Sequence, residues 1–108
     1  MFNEPTTAIK EFYAQIGYEK GLDELQNEIT KAIKLFKKGE NIEELLDFIG
    51  FLSNNTLNNH KVYMSYFMQA RFQFERGASN IVYHNLKHVK SCSKGIKEVM
   101  EKSKKIIV

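Results

Sequence analysis

The sequence predicts an all-α protein, an antiparallel bundle of four main helices preceded by a short extra N-terminal helix. Apolar residues recur at spacings of three and four along most of the chain, which is typical of amphipathic helices. The one proline, Pro5, lies near the N-terminus, so no proline interrupts a helix further along. No stretch alternates with the period of a strand, and 108 residues suffice for one hydrophobic core. We therefore expect a single domain over residues 1–108.

The first 40 residues predict a short helix and then a longer one. The short helix is indicated by the spacing of Ile9, Phe12, Tyr13 and Ile16. Gly17 and Gly21 then bracket a predicted break. The first main helix carries one apolar stripe made of Leu22, Leu25, Ile29 and Phe36. It should end at Gly39, which can adopt the left-handed conformation that closes a helix.

Three further helices follow, each with recognisable boundaries. Asn41 is a favourable N-cap for the second helix, and Glu44 lies three residues later, as a capping box requires. The Asn- and Ser-rich segment 53–59 predicts a loop. The third helix is expected at about residues 59–75, and Gly77 should end that region. The last helix is expected at about residues 81–104.

Charge is distributed unevenly along the chain. The net charge is +3, but residues 1–59 carry −4 and residues 60–108 carry +7. This asymmetry favours an acidic partner or self-association. Cys92 is the only cysteine, and the N-terminal residues lack the pattern of a signal peptide, so we expect a cytoplasmic protein. Lys outnumbers Arg 14 to 2, a bias typical of a low-GC bacterium or its phage or plasmid.

The sequence contains no recognisable catalytic or cofactor motif. It lacks a glycine-rich phosphate loop, a CxxC pair and the His-Glu-x-x-His and Gly-x-Ser-x-Gly patterns. The acidic spacing of MazG-type pyrophosphatases is only fragmentary, in Glu40-x-x-Glu43, Glu44-x-x-Asp47 and the distant Glu98-x-x-Glu101. Acids are also favoured in the first turn of a helix. We predict no catalytic residue, no cofactor and no enzymatic activity.

Two histidines and the cysteine share one side of the last helix. His84, His88 and Cys92 are spaced by four residues, and such a His pair can chelate a metal. A structural zinc site would need a further ligand, with His60 or Glu75 as the candidates. The alternative is that Cys92 is a small buried residue and the histidines are surface groups. We favour that alternative and assign no metal ligand.

The third helix has a second apolar stripe away from its main one. The main stripe contains Tyr63, Phe67, Ala70 and Phe74, whereas the second contains Met64, Met68 and Phe72. Arg71 and Glu75 lie close to that second stripe and can form an ion pair one turn apart. The pattern predicts either a central helix or a protein interface with Met64, Met68 and Phe72 as anchors and Arg71 and Glu75 as its rim.

A row of lysines follows one side of the last helix, and its members are Lys87, Lys90, Lys94, Lys97 and Lys104. Such a row can bind an anionic partner: nucleic-acid phosphates, an anionic lipid surface or an acidic protein. A solvated helix face is the alternative. The helix has no Arg and only Asn85 for base recognition, which disfavours sequence-specific DNA binding.

These features favour a small non-enzymatic interaction protein, an inhibitor, regulator or accessory factor that binds another protein or forms a homodimer. Sequence-nonspecific nucleic-acid binding through the basic last helix is an alternative. A third possibility comes from the order of the segments IKEFYAQI, GLDELQNEITKAIKLFKK and NIEELLDFIGFLSNN, followed by another long helix. Over residues 8–75 this layout resembles that of cytoplasmic bacteriocin immunity proteins, which are antiparallel four-helix bundles that protect the producing cell. The last helix here is longer and more basic than the resemblance implies.

Overall fold

Four α-helices and no strand make up the described part of the chain. The computed structural model describes the backbone of residues 7–107 and the side chains of residues 21–99, 101 and 102. The helices are α1 (Thr7–Lys37), α2 (Glu43–Thr56), α3 (Lys61–Glu75) and α4 (Ser79–Ile107). The prediction of an all-α, four-helix protein is confirmed. Within the described residues, no helix has a stretch that is both long and apolar enough to cross a bilayer.

The N-terminal region differs from the sequence-based expectation. The structure has one continuous helix from Thr7 to Lys37 where we predicted a short extra helix, a break and a longer helix. Gly17 and Gly21 both lie inside α1. Glycine in a helix interior costs only about 1 kcal/mol relative to alanine, so these two residues do not by themselves end a helix. The side chains of Ile9, Phe12, Tyr13 and Ile16 lie outside the described residues.

Glycine ends two of the helices, as predicted. Gly39 and Gly77 have φ values of 80° and 75°, in the left-handed region. The Glu40 N–H donates to the Leu35 carbonyl and the Gly39 N–H to the Phe36 carbonyl, at 3.1 and 3.0 Å. This pair of hydrogen bonds is a Schellman motif, which satisfies carbonyls at the end of α1. The same pattern follows α3 at Gly77.

Helix α2 begins and ends later than predicted. Ile42 is its N-cap, and the Asn41 side-chain oxygen accepts a hydrogen bond from the Glu43 N–H at 3.0 Å, so Asn41 still satisfies one free amide. The helix continues to Thr56, through half of the predicted loop. Two side chains, Asn55 and Thr56, donate to the carbonyls four residues earlier. Their hydrogen bonds therefore support the last turn instead of breaking it.

One apolar core joins all four helices. Helix α1 packs against α2 and α4, α3 packs against α4, and α2 and α3 contact each other least. At 1.5 Å per residue α1 is about 46 Å long and α3 only about 22 Å. Each short helix therefore packs against a long one, α2 against α1 and α3 against α4. The core consists of Leu22, Leu25, Ile29, Ala32, Ile42, Leu46, Ile49, Leu52, Leu57, Tyr63, Phe67, Ala70, Val82, Leu86 and Val89.

Candidate protein-interaction surface on helix α3

Helix α3 buries one side and exposes a partly apolar side. Tyr63, Phe67 and Ala70 are fully buried, as the first predicted stripe requires. The opposite side is exposed along the whole helix, and we call it the α3 outer surface. Its members are Val62, Ser65, Met68, Gln69, Phe72 and Arg76. At 100° per residue, these positions fall within one arc of about 120°.

The α3 outer surface carries large apolar side chains. Met68 is 58% exposed and Phe72 is 50% exposed, one turn apart, and Val62 is also exposed near the start of the helix. The Arg76 guanidinium lies 5.6 Å from the centre of the Phe72 ring, within the range of a cation–π contact. Aromatic residues, Met and Arg are among the residue types that are enriched in protein interfaces.

The predicted interface residues divide between two sides of α3. Met68 and Phe72 lie on the outer surface, whereas Met64 is half-buried against the core. Glu75 is more than half exposed, close to the end of the helix. The side chain of Arg71 is only 11% exposed and points to α2. The structure therefore keeps two of the three apolar anchors together and places Arg71 between helices.

Arg71 holds α3 against α2 through a cluster of acids. Its Nε donates to the Asp47 carboxylate at 3.1 Å. Its Nη2 lies 3.7 Å from Glu43, and its Nη1 lies 3.4 Å from Glu75 on its own helix, without hydrogen-bond geometry. The pairing of Arg71 with Glu75 follows the expected spacing of four residues. Sequence reasoning missed these two partners, because it considered Asp47 only as part of a fragmentary acidic motif and Glu43 as part of that motif or of the acidic first turn of α2.

The lysine row lies on α4 and is not part of the α3 outer surface. Lys97 donates to the Asp23 carboxylate of α1 and lies 4.0 Å from Glu101. The hydrogen bond to Asp23 raises the pKa of Lys97 above its usual value, although partial burial opposes this. The ammonium of Lys87 lies 5.3 Å from the centre of the Tyr83 ring. The contact with Asp23 places Lys97 at the boundary with α1.

Three described lysines of the row are exposed, and these are Lys87, Lys90 and Lys94. Lys90 and Lys94 face solvent, and neither has an ion-pair partner among the described residues. Lys104 lies in α4, but its side chain is outside the described residues. Because Lys97 is engaged by Asp23, the described part of the row offers a shorter cationic surface than its sequence spacing suggests.

An apolar groove begins where the α3 outer surface ends. Its volume is about 740 Å³, and it lies between the start of α3 and the middle of α4. Val62 and Tyr63 line it from α3, and Cys92, Ile96 and the exposed Val99 line it from α4. Val62 belongs to both the groove and the outer surface, so the two are continuous. A signal for this groove was Gly95, whose missing side chain leaves open space beside Cys92.

The structure separates Cys92 from the two histidines that share its side of α4. His84 and His88 contact each other, whereas Cys92 lies in the groove as a half-buried free thiol. His60 lies before the start of α3, and Glu75 pairs with Arg71. Within residues 21–99, 101 and 102, no group of three or more His, Cys, Asp or Glu side chains is placed to hold a metal ion.

Comparison with known proteins adds no further constraint on this surface. No family model, curated protein or solved structure matches the chain.

Proposed function

We propose that this protein is a non-enzymatic interaction protein that binds another protein through the α3 outer surface. The observation that carries this proposal is the exposure of Met68 and Phe72, one turn apart on a helix whose other side is buried. Partner binding removes such side chains from water. Transfer of a half-exposed Phe or Met into an interface contributes about 1–1.5 kcal/mol each.

The anchoring of α3 supports the same proposal. Tyr63 and Phe67 hold one side of the helix in the core, and Arg71 holds it against α2. A surface on a fixed helix loses little conformational entropy when a partner binds. The apolar groove that adjoins Val62 extends the contact area towards Val99. Surfaces of this kind suit an inhibitor, regulator or accessory factor, and we place it in the cytoplasm of a low-GC bacterium or with its phage or plasmid.

A second copy of the chain is one partner that the surface can bind. A homodimer would bury the Phe72 of each copy, and light scattering coupled to size-exclusion chromatography would show twice the chain mass. The immunity-protein resemblance is another version of the proposal, although its first two segments form one continuous helix, α1, in the structure. It predicts protection of a sensitive cell that expresses this chain against a bacteriocin of the producing strain.

Binding of nucleic-acid phosphates by the lysine row has less support. Lys97 is paired with Asp23, and Lys87 lies against the Tyr83 ring, so within the described part of the row only Lys90 and Lys94 are exposed with neither contact. If this alternative holds, DNA affinity falls steeply with salt, and Lys90→Glu with Lys94→Glu abolishes binding in a gel shift.

The proposal is tested by a pair of charge substitutions. Phe72→Asp puts a carboxylate in the centre of the α3 outer surface, and burying it in an interface is costly. Thr30→Asp adds the same charge to an exposed position on α1, outside the α3 outer surface. Each tagged variant is used for affinity purification from the host, with mass spectrometry, and circular dichroism checks that helicity is unchanged.

We expect a specific partner, or a second copy, to be retained by the wild type and by Thr30→Asp and lost with Phe72→Asp. Retention of every partner by a folded Phe72→Asp variant would contradict the proposal. A monomeric wild type that captures no partner would contradict it as well.

A further inference from the structure

His84 and His88 form a close pair on the side of α4 that faces α3. Their Nε2 atoms are 3.2 Å apart, and the two rings are tilted at 74° with centroids 4.5 Å apart. His84 is exposed and His88 is half-buried, so solvent and ions reach the pair. The sequence predicts that the two residues share a side of the helix, but it does not predict that the same nitrogen of each ring faces the other.

Tyr66 of α3 fixes one member of this pair. The Tyr66 and His88 rings are stacked with centroids 4.7 Å apart and planes only 10° apart. Stacking between two helices removes rotational freedom from His88 before any ligand binds. A preoriented imidazole binds a metal more tightly than a freely rotating one, because less side-chain entropy is lost.

We propose that His84 and His88 form a two-ligand site for a divalent transition metal, with Cu²⁺ bound more tightly than Zn²⁺. Imidazole nitrogen is a preferred ligand of both ions, and the Cu²⁺ complex is the more stable. Zinc–nitrogen bonds are about 2.0–2.1 Å long. Two nitrogens 3.2 Å apart therefore subtend an angle of about 100° at the metal, between the square-planar and tetrahedral values.

Metal binding replaces the contact between the two nitrogens. In a neutral pair, one Nε2 carries the proton of the hydrogen bond and the other accepts it. For both Nε2 atoms to donate lone pairs to a metal, that proton moves to Nδ1 of its own ring. Both imidazoles stay neutral, and no proton leaves the protein. Because His84 is exposed, water or side chains of a bound protein can supply the remaining ligands.

The test uses the untagged full chain and titration with Cu²⁺ or Zn²⁺ in an isothermal calorimeter. The test variants are His84→Ala and His88→Ala. His60→Ala is the matched control, because His60 is the one other histidine of the sequence. Cys92→Ser controls for binding by the one thiol. Electron paramagnetic resonance of the Cu²⁺ complex counts the coordinated imidazole nitrogens.

We expect one metal ion per chain and two imidazole nitrogens in the Cu²⁺ spectrum. Each test variant should bind about 100-fold more weakly, because the second imidazole then no longer binds within the same molecule. Both controls should bind like the wild type. Equal affinity in wild type and His84→Ala, or an equal loss in His60→Ala, would overturn the proposal. A wild type with no stoichiometric binding would also overturn it. None of these outcomes depends on partner binding by α3.

Discussion

Replacement of Arg71 by methionine gives the most direct test of how α3 is held in place. Methionine keeps much of the side-chain volume but removes the charge and all donors. Arg71 is 11% exposed and Asp47 is 21% exposed, so the substitution leaves a mostly buried carboxylate without its cation. Few other contacts join α2 to α3, and the loss should therefore affect the whole pair of helices.

The expected magnitude follows from the exposure of each partner. A hydrogen bond to a charged group contributes about 1.5–3 kcal/mol, and breaking a fully buried ion pair costs about 3–5 kcal/mol. Asp47 is partly exposed, so its contribution lies in the lower range. Glu43 and Glu75 are more than half exposed, and such pairs contribute about 0–1 kcal/mol. We expect Arg71→Met to lower the free energy of unfolding by about 2 kcal/mol, or Tm by about 8 °C.

Urea unfolding followed by circular dichroism measures this change. Arg76→Met is the control, because Arg76 is exposed and its loss should change stability by less than about 0.5 kcal/mol. Adding Asp47→Leu to Arg71→Met removes the unpaired carboxylate and should restore at least half of the lost stability. An Arg71→Met variant as stable as the wild type would refute the assigned role of Arg71. A double variant less stable than the single one would refute the role of Asp47.

Two further predictions concern glycine and lysine positions. Gly95→Ala should raise Tm by about 4 °C in a thermal scan, because a Cβ at this helical position meets no atom. Gly39→Ala should lower Tm by a similar amount, because its φ of +80° is strained for alanine. A change of the same sign in both variants would contradict this reasoning. Lys97→Ala should lower stability by less than about 1 kcal/mol and more than Lys94→Ala does, since only Lys97 binds Asp23. Equal stability of the two variants at neutral pH would contradict this role of Lys97. The pKa of Lys97 is raised on folding, so its contribution should be complete below the ordinary pKa of a lysine and be lost as the pH rises through the raised value.

The helices and the core could be predicted from local pattern. Spacings of three and four placed Leu25, Ile29 and Phe67 on buried stripes, and the structure buries all three completely. Gly39 and Gly77 marked two helix ends because only glycine adopts the left-handed conformation at low cost. Gly17 and Gly21 gave the same signal but lie within α1. Glycine therefore permits a helix end but does not by itself require one.

The candidate surface depended on information that spacing does not contain. Two apolar stripes on α3 were visible in the sequence, but only the packing of α4 and α2 decided that Phe67 is buried and Phe72 is exposed. The sequence placed Arg71 on the rim of an interface, whereas the structure places it between α2 and α3. Its burial follows from Asp47, which lies 24 residues earlier and on another helix.

Sequence by itself determined that this chain is helical, where α1 and α3 end and which residues can share a side. These properties follow from backbone geometry and from the spacing of neighbours within one helix. Tertiary structure alone decided which side meets water, which acid binds Lys97 and which ring stacks on His88. Those outcomes require contacts between helices that are distant in the chain, and the spacing of residues along one helix does not specify them.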